Sequence, residues 1–199
     1  MIATRSSLVA DLKRLGVEEG ATVMVHAGLR AMGPVRGGAA VVVQALLDAL
    51  GPDGTLVAYV DFEPFFEDED EDEVPVFDKR IARAALDHGV LHETIRTWPG
   101  SLRSDHPDAG VVAIGARAEW ITAEHPLQYG YGPGTPFARV LEAHGQALML
   151  GAPLDTVTLL HHAEHLARIP DKRVRRYRRR MPGPVGPEWV QFEEFDTAE

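Results

Sequence analysis

Apolar positions along this chain switch between two spacings, and the switching predicts a layered α/β fold. Leu8, Val9, Leu12 and Leu15 recur at helical spacing. They predict an amphipathic helix over residues 4–15, capped by Thr4 or Ser6 and stopped by Gly16. Thr22-Val23-Met24-Val25-His26-Ala27 is a short apolar run and reads as a buried strand. A turn rich in Gly28, Gly33, Gly37 and Gly38 follows. Ala39 to Leu50 then reads as a helix ended by Gly51-Pro52, and Thr55 to Val60 as a second strand. Strand, loop, helix, strand in this order implies a right-handed crossover and a sheet that is at least partly parallel.

The pattern breaks between Phe62 and Phe77, where acids and two prolines form a long excursion. In a compact domain such a segment is functional or disordered. Ile81 to Arg96 predicts a helix, interrupted at Gly89. Val111 to Ile114 predicts a third strand, and Ala116 to Ala123 a short helix. Pro126 to Pro136 is a loop rich in Gly, Pro and Tyr. Pro136 to Ala143 predicts another helix, Ala147 to Leu150 a fourth strand, and Thr156 to Arg168 a last helix. From Lys172 onward the chain reads as two strands or extended arms around Pro182-Gly183-Pro184. The expected architecture is a single α/β domain over residues 1–199, layered α/β/α on a mixed, largely parallel sheet, without internal repeats.

Composition narrows the functions. The chain has no cysteine, which excludes disulfides, thiolate catalysis and cysteine-ligated zinc. No apolar run approaches the roughly 20 residues of a membrane span. The N-terminus lacks the basic-then-apolar pattern of a secretory signal, so a cytoplasmic location is expected. A formal net charge of −10 repels nucleic acid and attracts cations. Glu67 to Glu73 is an unbroken acidic run, and Lys172, Arg173, Arg175, Arg176, Arg178, Arg179 and Arg180 form a basic block. Each reads equally well as a solvated face.

Three segments can carry chemistry. Val25-His26-Ala27-Gly28-Leu29-Arg30 through Val35-Arg36-Gly37-Gly38 runs from a strand through a glycine-rich loop to a helix N-terminus. That arrangement suits an anion, and Arg30 and Arg36 can add phosphate contacts. It is neither a Walker A loop nor a GxGxxG fingerprint, and a plain tight turn explains it too. Arg103-Ser104-Asp105-His106-Pro107 is a polar cluster in which Arg103 can grip a phosphate or carboxylate; a surface turn is the alternative. The third segment, Leu150-Gly151-Ala152-Pro153-Leu154-Asp155 through Glu164, carries Thr158, His161, His162 and Glu164 beyond a strand's carboxyl end, where open α/β sheets build sites. His161 can serve as general base near neutral pH, with Thr158 three residues earlier as nucleophile partner or oxyanion donor. His161-His162-Ala163-Glu164-His165 also fits the H-x-x-E-H zinc pattern, which needs a third ligand downstream. A helix with exposed histidines and one buried, hydrogen-bonded histidine remains the plain alternative.

These segments together resemble the aminoglycoside 3-N-acetyltransferases, the antibiotic acetyltransferase family that is distinct from the GNAT fold. The resemblance is carried by Val25-His26-Ala27-Gly28-Leu29 through Gly37-Gly38, Leu46 to Leu56, Arg103 to Pro107, Val112 to Gly115, Leu150 through Glu164, and Ile169-Pro170-Asp171-Lys172-Arg173. It covers nearly the whole chain. It implies acetyl transfer from acetyl-CoA to the 3-amine of the 2-deoxystreptamine ring, which confers antibiotic resistance. It implies His161 as general base and Thr158 as oxyanion donor, with direct attack by the amine and no metal.

By the same resemblance, acetyl-CoA is held by His26, Ala27, Gly28, Leu29, Arg30, Val35, Gly37, Gly38, Arg103 and Ser104. The aminoglycoside is held by Asp78, Asp155, Glu194 and Asp196, with Tyr59 and Asp61 at a strand end and His106 beside them. No nucleic acid or membrane partner is expected, and the protein is a monomer or homodimer. Family chains carry a hydrophobic loop where this chain has its acidic run. They also continue several dozen residues past a segment like Glu194-Phe195-Asp196, with a glutamate there that partners the base histidine. If the chain stops at Glu199, His161 lacks that carboxylate, and a truncated or inactive form is expected; Glu164 is one candidate replacement. The alternatives are an acyl-CoA-dependent transferase acting on another amine, a zinc hydrolase, and a fragment that binds without turnover.

Overall fold

The computed structural model describes residues 2–62 and 74–195, so the acidic run and Asp196 lie outside the described residues. The elements are α1 (Arg5–Arg14), β1 (Thr22–Ala27), α2 (Leu29–Met32), α3 (Gly38–Leu50), β2 (Thr55–Tyr59), α4 (Gly89–Arg96), β3 (Leu102–Arg103), β4 (Val111–Gly115), α5 (Ala118–Thr122), α6 (Pro136–Glu142), β5 (Gln146–Leu150), α7 (Leu160–Leu166), β6 (Val174–Pro182) and β7 (Pro187–Phe195). Thr4 caps α1 as its sequence predicts, in a reciprocal box with Ser7.

Five strands form one sheet in the order β3-β4-β2-β1-β5. β1 runs parallel to both β2 and β5, while β4 is antiparallel to β2 and β3. Within this sheet β4 alone runs against the rest, which is the mixed, largely parallel arrangement expected. Side chains alternate across the sheet and feed two cores. Val23 and Val25 join Leu56, Ala58, Val112 and Ile114 under α1, α3 and α4. Met24 joins Val57, Val111 and Ala113 on the other face, against Ile121, Phe137 and Val140 of α5 and α6. Helices on both faces explain why β1 is an almost unbroken apolar run.

This layering positions the site. Past β1 the chain turns to α3 on the first face. Past β5 it returns through Leu159, which packs on the second core. Adjacent parallel strands whose chains leave to opposite faces open a crevice at their carboxyl ends. The β6–β7 hairpin closes over this end in register from Val174 opposite Phe195 to Pro182 opposite Pro187. A small cluster of Phe77, Ala82, Met181 and Phe192 seats it.

Two helix predictions shorten. Residues 81–85 are irregular, a 3-10 turn covers Leu86–His88, and Gly89 at φ +74° ends that turn and opens α4. Tertiary bonds hold this segment open: Ala85 N–H donates to Asp61 O, and Ala84 N–H donates to the Glu93 carboxylate. The last helix begins at Leu160 rather than Thr156, because Thr156 bonds back to Pro153 O in a separate 3-10 turn. The short elements α2 and β3 carry too few residues for a periodic signal. Among the described residues no helix is long and apolar enough to cross a membrane.

Candidate active site

A cleft of about 360 Å³ opens at the carboxyl ends of β1 and β5. It is lined by His26 and Ala27 of β1, Gly28 just after it, and Tyr59, His88 and His92 from the neighbouring elements. The segment after β5 adds Ala152, Pro153, Asp155, Thr156, Thr158 and His161. Gly28 allows the two loops to touch. A Cβ there would stand 2.6 Å from Gly151 O, and the Gly28 N–H donates to Leu150 O at 2.9 Å. Gly37 serves a different purpose: it starts α3 in the left-handed region at φ +91°.

His161 lies in the first turn of α7, one third exposed. Its Nδ1 sits 2.6 Å from Glu164 Oε2, so Glu164 accepts from the Nδ1–H and leaves Nε2 for a reacting group. Thr158 lies in the turn before the helix rather than on it, and its carbonyl accepts from His161 N–H at 3.0 Å. The H-x-x-E-H face is not assembled as a metal site. Glu164 is engaged by His161, while His165 turns to Tyr129 and to Glu194, whose Oε1 is 3.9 Å from its Nδ1. His162 is buried and donates to Tyr131 O.

A second cavity, about 210 Å³, shares Tyr59 and His161 with the first. Its other walls carry Asp61, Asp108, Glu194, Tyr131, Arg175, Tyr177 and Arg179. The Tyr59 hydroxyl donates to Asp108 O at 2.7 Å and lies 3.2 Å from the Tyr131 hydroxyl. Burial pushes both phenols above their usual range, so they stay protonated. Arg179 forks onto Asp108 with bonds of 2.9 and 2.7 Å. Burial still raises the Asp108 pKa, with the guanidinium pulling the other way. Burial likewise raises Glu194, opposed by the N–H groups of Gly130 and Phe195 at 2.8 and 3.1 Å. Asp61 accepts from His88 Nε2–H.

The structure therefore brings His26, Ala27, Gly28, Tyr59, Asp61, Asp155, Thr158, His161 and Glu194 to two joined cavities. Leu29, Arg30, Val35, Gly37 and Gly38 follow on the next turn and do not line either one. Four other expected ligands lie away from both cavities. Arg103 is 8% exposed, and its guanidinium donates to Val60 O at 2.9 Å and to Ala82 O, with Phe77 beneath it. Those bonds hold the loops together, and the side chain lines neither of the two cavities. Ser104 is fully buried, its hydroxyl accepting from Val111 N–H and bonding His125. His106 is 1% exposed, and its Nδ1 accepts from Asp108 and Ala109 N–H at 3.2 and 3.0 Å. Burial holds it neutral, well below the usual histidine range. Asp78 is engaged by Arg80 outside both cavities. Sequence reasoning missed Asp108, Tyr131, Tyr177 and Arg179. Asp108 lies two residues beyond His106, in the segment already singled out, but only tertiary packing sets it against β6.

An open α/β sheet with a histidine–carboxylate pair at its switch point and an acid-bearing second cavity defines an enzyme rather than a scaffold. The aminoglycoside 3-N-acetyltransferase family model matches residues 24–199. Aminoglycoside N(3)-acetyltransferase III of Pseudomonas aeruginosa is 44% identical over 210 aligned residues, covering 98% of this chain and 76% of that protein. Aminoglycoside N(3)-acetyltransferase VIII of Streptomyces fradiae is 42% identical over 98% of this chain and 72% of its own length. Among solved structures, AAC-IIIb in a binary complex with CoASH superposes with a TM-score of 0.95 at 51% identity, over 99% of this chain and 77% of that one. Sisomicin-bound AAC-VIa superposes at 0.93 with 37% identity, over 99% and 78% of the two chains. The chain belongs to the aminoglycoside 3-N-acetyltransferase family.

Proposed function

We propose that the protein transfers the acetyl group of acetyl-CoA to the 3-amine of the 2-deoxystreptamine ring of aminoglycosides, and so confers resistance to them. The observation that carries this reading is the place of His161, at the junction of the two cavities. The β1–β5 cleft receives the thioester. The second cavity, with Asp61, Asp108 and Glu194, receives the polycationic sugar. The CoASH complex of one structural relative and the sisomicin complex of another support the two classes of ligand.

The amine attacks the thioester carbonyl directly as its free base. As the C–N bond forms, nitrogen gives its proton to His161 Nε2. Glu164 holds the ring by its Nδ1–H and stabilises the imidazolium. The tetrahedral oxyanion accepts from the Thr158 hydroxyl. The C–S bond then breaks, and the imidazolium returns the proton to sulfur, giving the amide and CoASH. No protein nucleophile is acylated, which accords with a chain lacking cysteine.

The test is thiol release from acetyl-CoA across an aminoglycoside panel that includes one lacking the 3-amine. Turnover is expected with the parent compounds and not with that one. His161→Ala abolishes turnover while CoA binding persists, and Glu164→Gln lowers kcat at least tenfold. Wild-type-like turnover by His161→Ala refutes the base assignment.

A further inference from the structure

Among the described residues, four side-chain atoms are buried with no hydrogen-bond partner: Thr22 Oγ1, His26 Nε2, Arg103 Nε and His106 Nε2. Arg103 and His106 each make other bonds, and neither lines the acetyl-CoA cleft. Thr22 stands at the far end of β1. His26 differs from all three. It makes no side-chain hydrogen bond among the described residues, is 5% exposed, and lines the same cleft as Thr158 and His161. His92, which lines the same cleft, donates to His88 O at 2.6 Å.

A buried polar nitrogen without a partner costs about 1–3 kcal/mol. The protein tolerates that cost in a residue that lines the β1–β5 cleft. Burial, reinforced by His92 and His88, holds the His26 pKa at about 4. At neutral pH the ring is therefore an uncharged donor that cannot compete with His161 for the amine's proton. An uncharged N–H fixed on a strand is suited to a carbonyl oxygen, whose negative charge grows as the amine attacks.

We propose that His26 is a second oxyanion donor, its ring N–H pairing with the acetyl carbonyl of the bound thioester in the cleft that Thr158 also lines. This rests on the reading that acetyl-CoA occupies the β1–β5 cleft. It adds a role for His26 that binding of the coenzyme alone does not require.

The test compares His26→Leu, which keeps bulk and removes the donor, with His26→Asn, which restores an N–H. For His26→Leu, kcat is expected to fall roughly 10²-fold, as for loss of one oxyanion donor. Its affinity for CoASH and for S-ethyl-CoA, a thioether without the carbonyl, stays within about twofold of wild type, because such a donor acts chiefly in the transition state. His26→Asn recovers at least tenfold of the lost kcat. The melting temperature of His26→Leu is unchanged or raised, because an unsatisfied nitrogen has been removed. A kcat within about threefold of wild type overturns the assignment. So does an equal loss of CoASH and S-ethyl-CoA binding, which would make His26 a coenzyme anchor. Unaltered wild-type turnover beside an unaffected His26→Leu refutes this assignment alone. A wild type without aminoglycoside-dependent thiol release refutes the underlying reading and this one with it.

Discussion

Arg103→Met separates the sequence's expectation from the structure's most directly. A phosphate ligand and a loop clamp predict opposite phenotypes. In the structure the guanidinium is buried, with donated bonds to Val60 O and Ala82 O and the Phe77 ring 5.0 Å away. Methionine keeps the stem over Phe77 and removes both bonds. Hydrogen bonds to a charged group contribute about 1.5–3 kcal/mol each, or roughly 3–6 for the pair. Part of that is offset already, since burial pulls the Arg103 pKa down to about 10 and its Nε has no partner. The net loss is about 3 kcal/mol. For a domain of this size each kcal/mol shifts Tm by roughly 2–4 °C, so Tm is expected to fall by about 6–12 °C. Thermal unfolding followed by circular dichroism gives the shift. Initial rates at a temperature where the variant is folded give KM for each substrate. KM for acetyl-CoA should change less than about threefold. An unchanged Tm with KM for acetyl-CoA raised tenfold or more would refute the clamp and restore the phosphate contact.

Two further outcomes follow from the same geometry. Burial holds His26 and His125 at about 4 and His106 well below the usual range, so the native state stays neutral where the unfolded chain, near 6.5, takes up protons. Stability therefore rises with pH from about 4 to 6.5 and is lost as pH falls through that window. Glu194 and Asp108, both raised by burial, act in the opposite sense above the normal carboxylate range. The net uptake on unfolding is about two protons, or about 3 kcal/mol per pH unit near pH 5.5; urea unfolding at pH 7, 6 and 5 checks it, and a flat profile contradicts the buried neutral rings. Gly28→Ala places a methyl 2.6 Å from Gly151 O and 3.2 Å from Gly151 C, both backbone atoms that cannot rotate aside. A stability loss of about 1–3 kcal/mol and a KM for acetyl-CoA raised at least tenfold are expected; wild-type kinetics would mean that the loop contact does not shape the cleft.

The sequence by itself determined the sheet strands and the helices that carry strong periodicity. β1, β2, β4 and β5 are short apolar runs bounded by turn residues, and α1 and α3 carry apolar stripes with clear stops. It also located His161 and Thr158, because a strand, a turn and a histidine-bearing helix in succession put polar groups at a sheet's carboxyl end. Local chemistry reaches that far. Whether a polar side chain points into a cavity or into the core depends on partners distant in the chain. Arg103 meets carbonyls of residues 60 and 82, Asp108 meets Arg179 across 71 positions, and Glu194 reaches Gly130 across 64. The same arginine reads as a phosphate ligand or a clamp until those loops are placed. Burial then decided the rest: it left His26 unpartnered on the cleft wall and turned His106 into the core, since removing water from a polar group leaves protein or ligand as its only remaining partner.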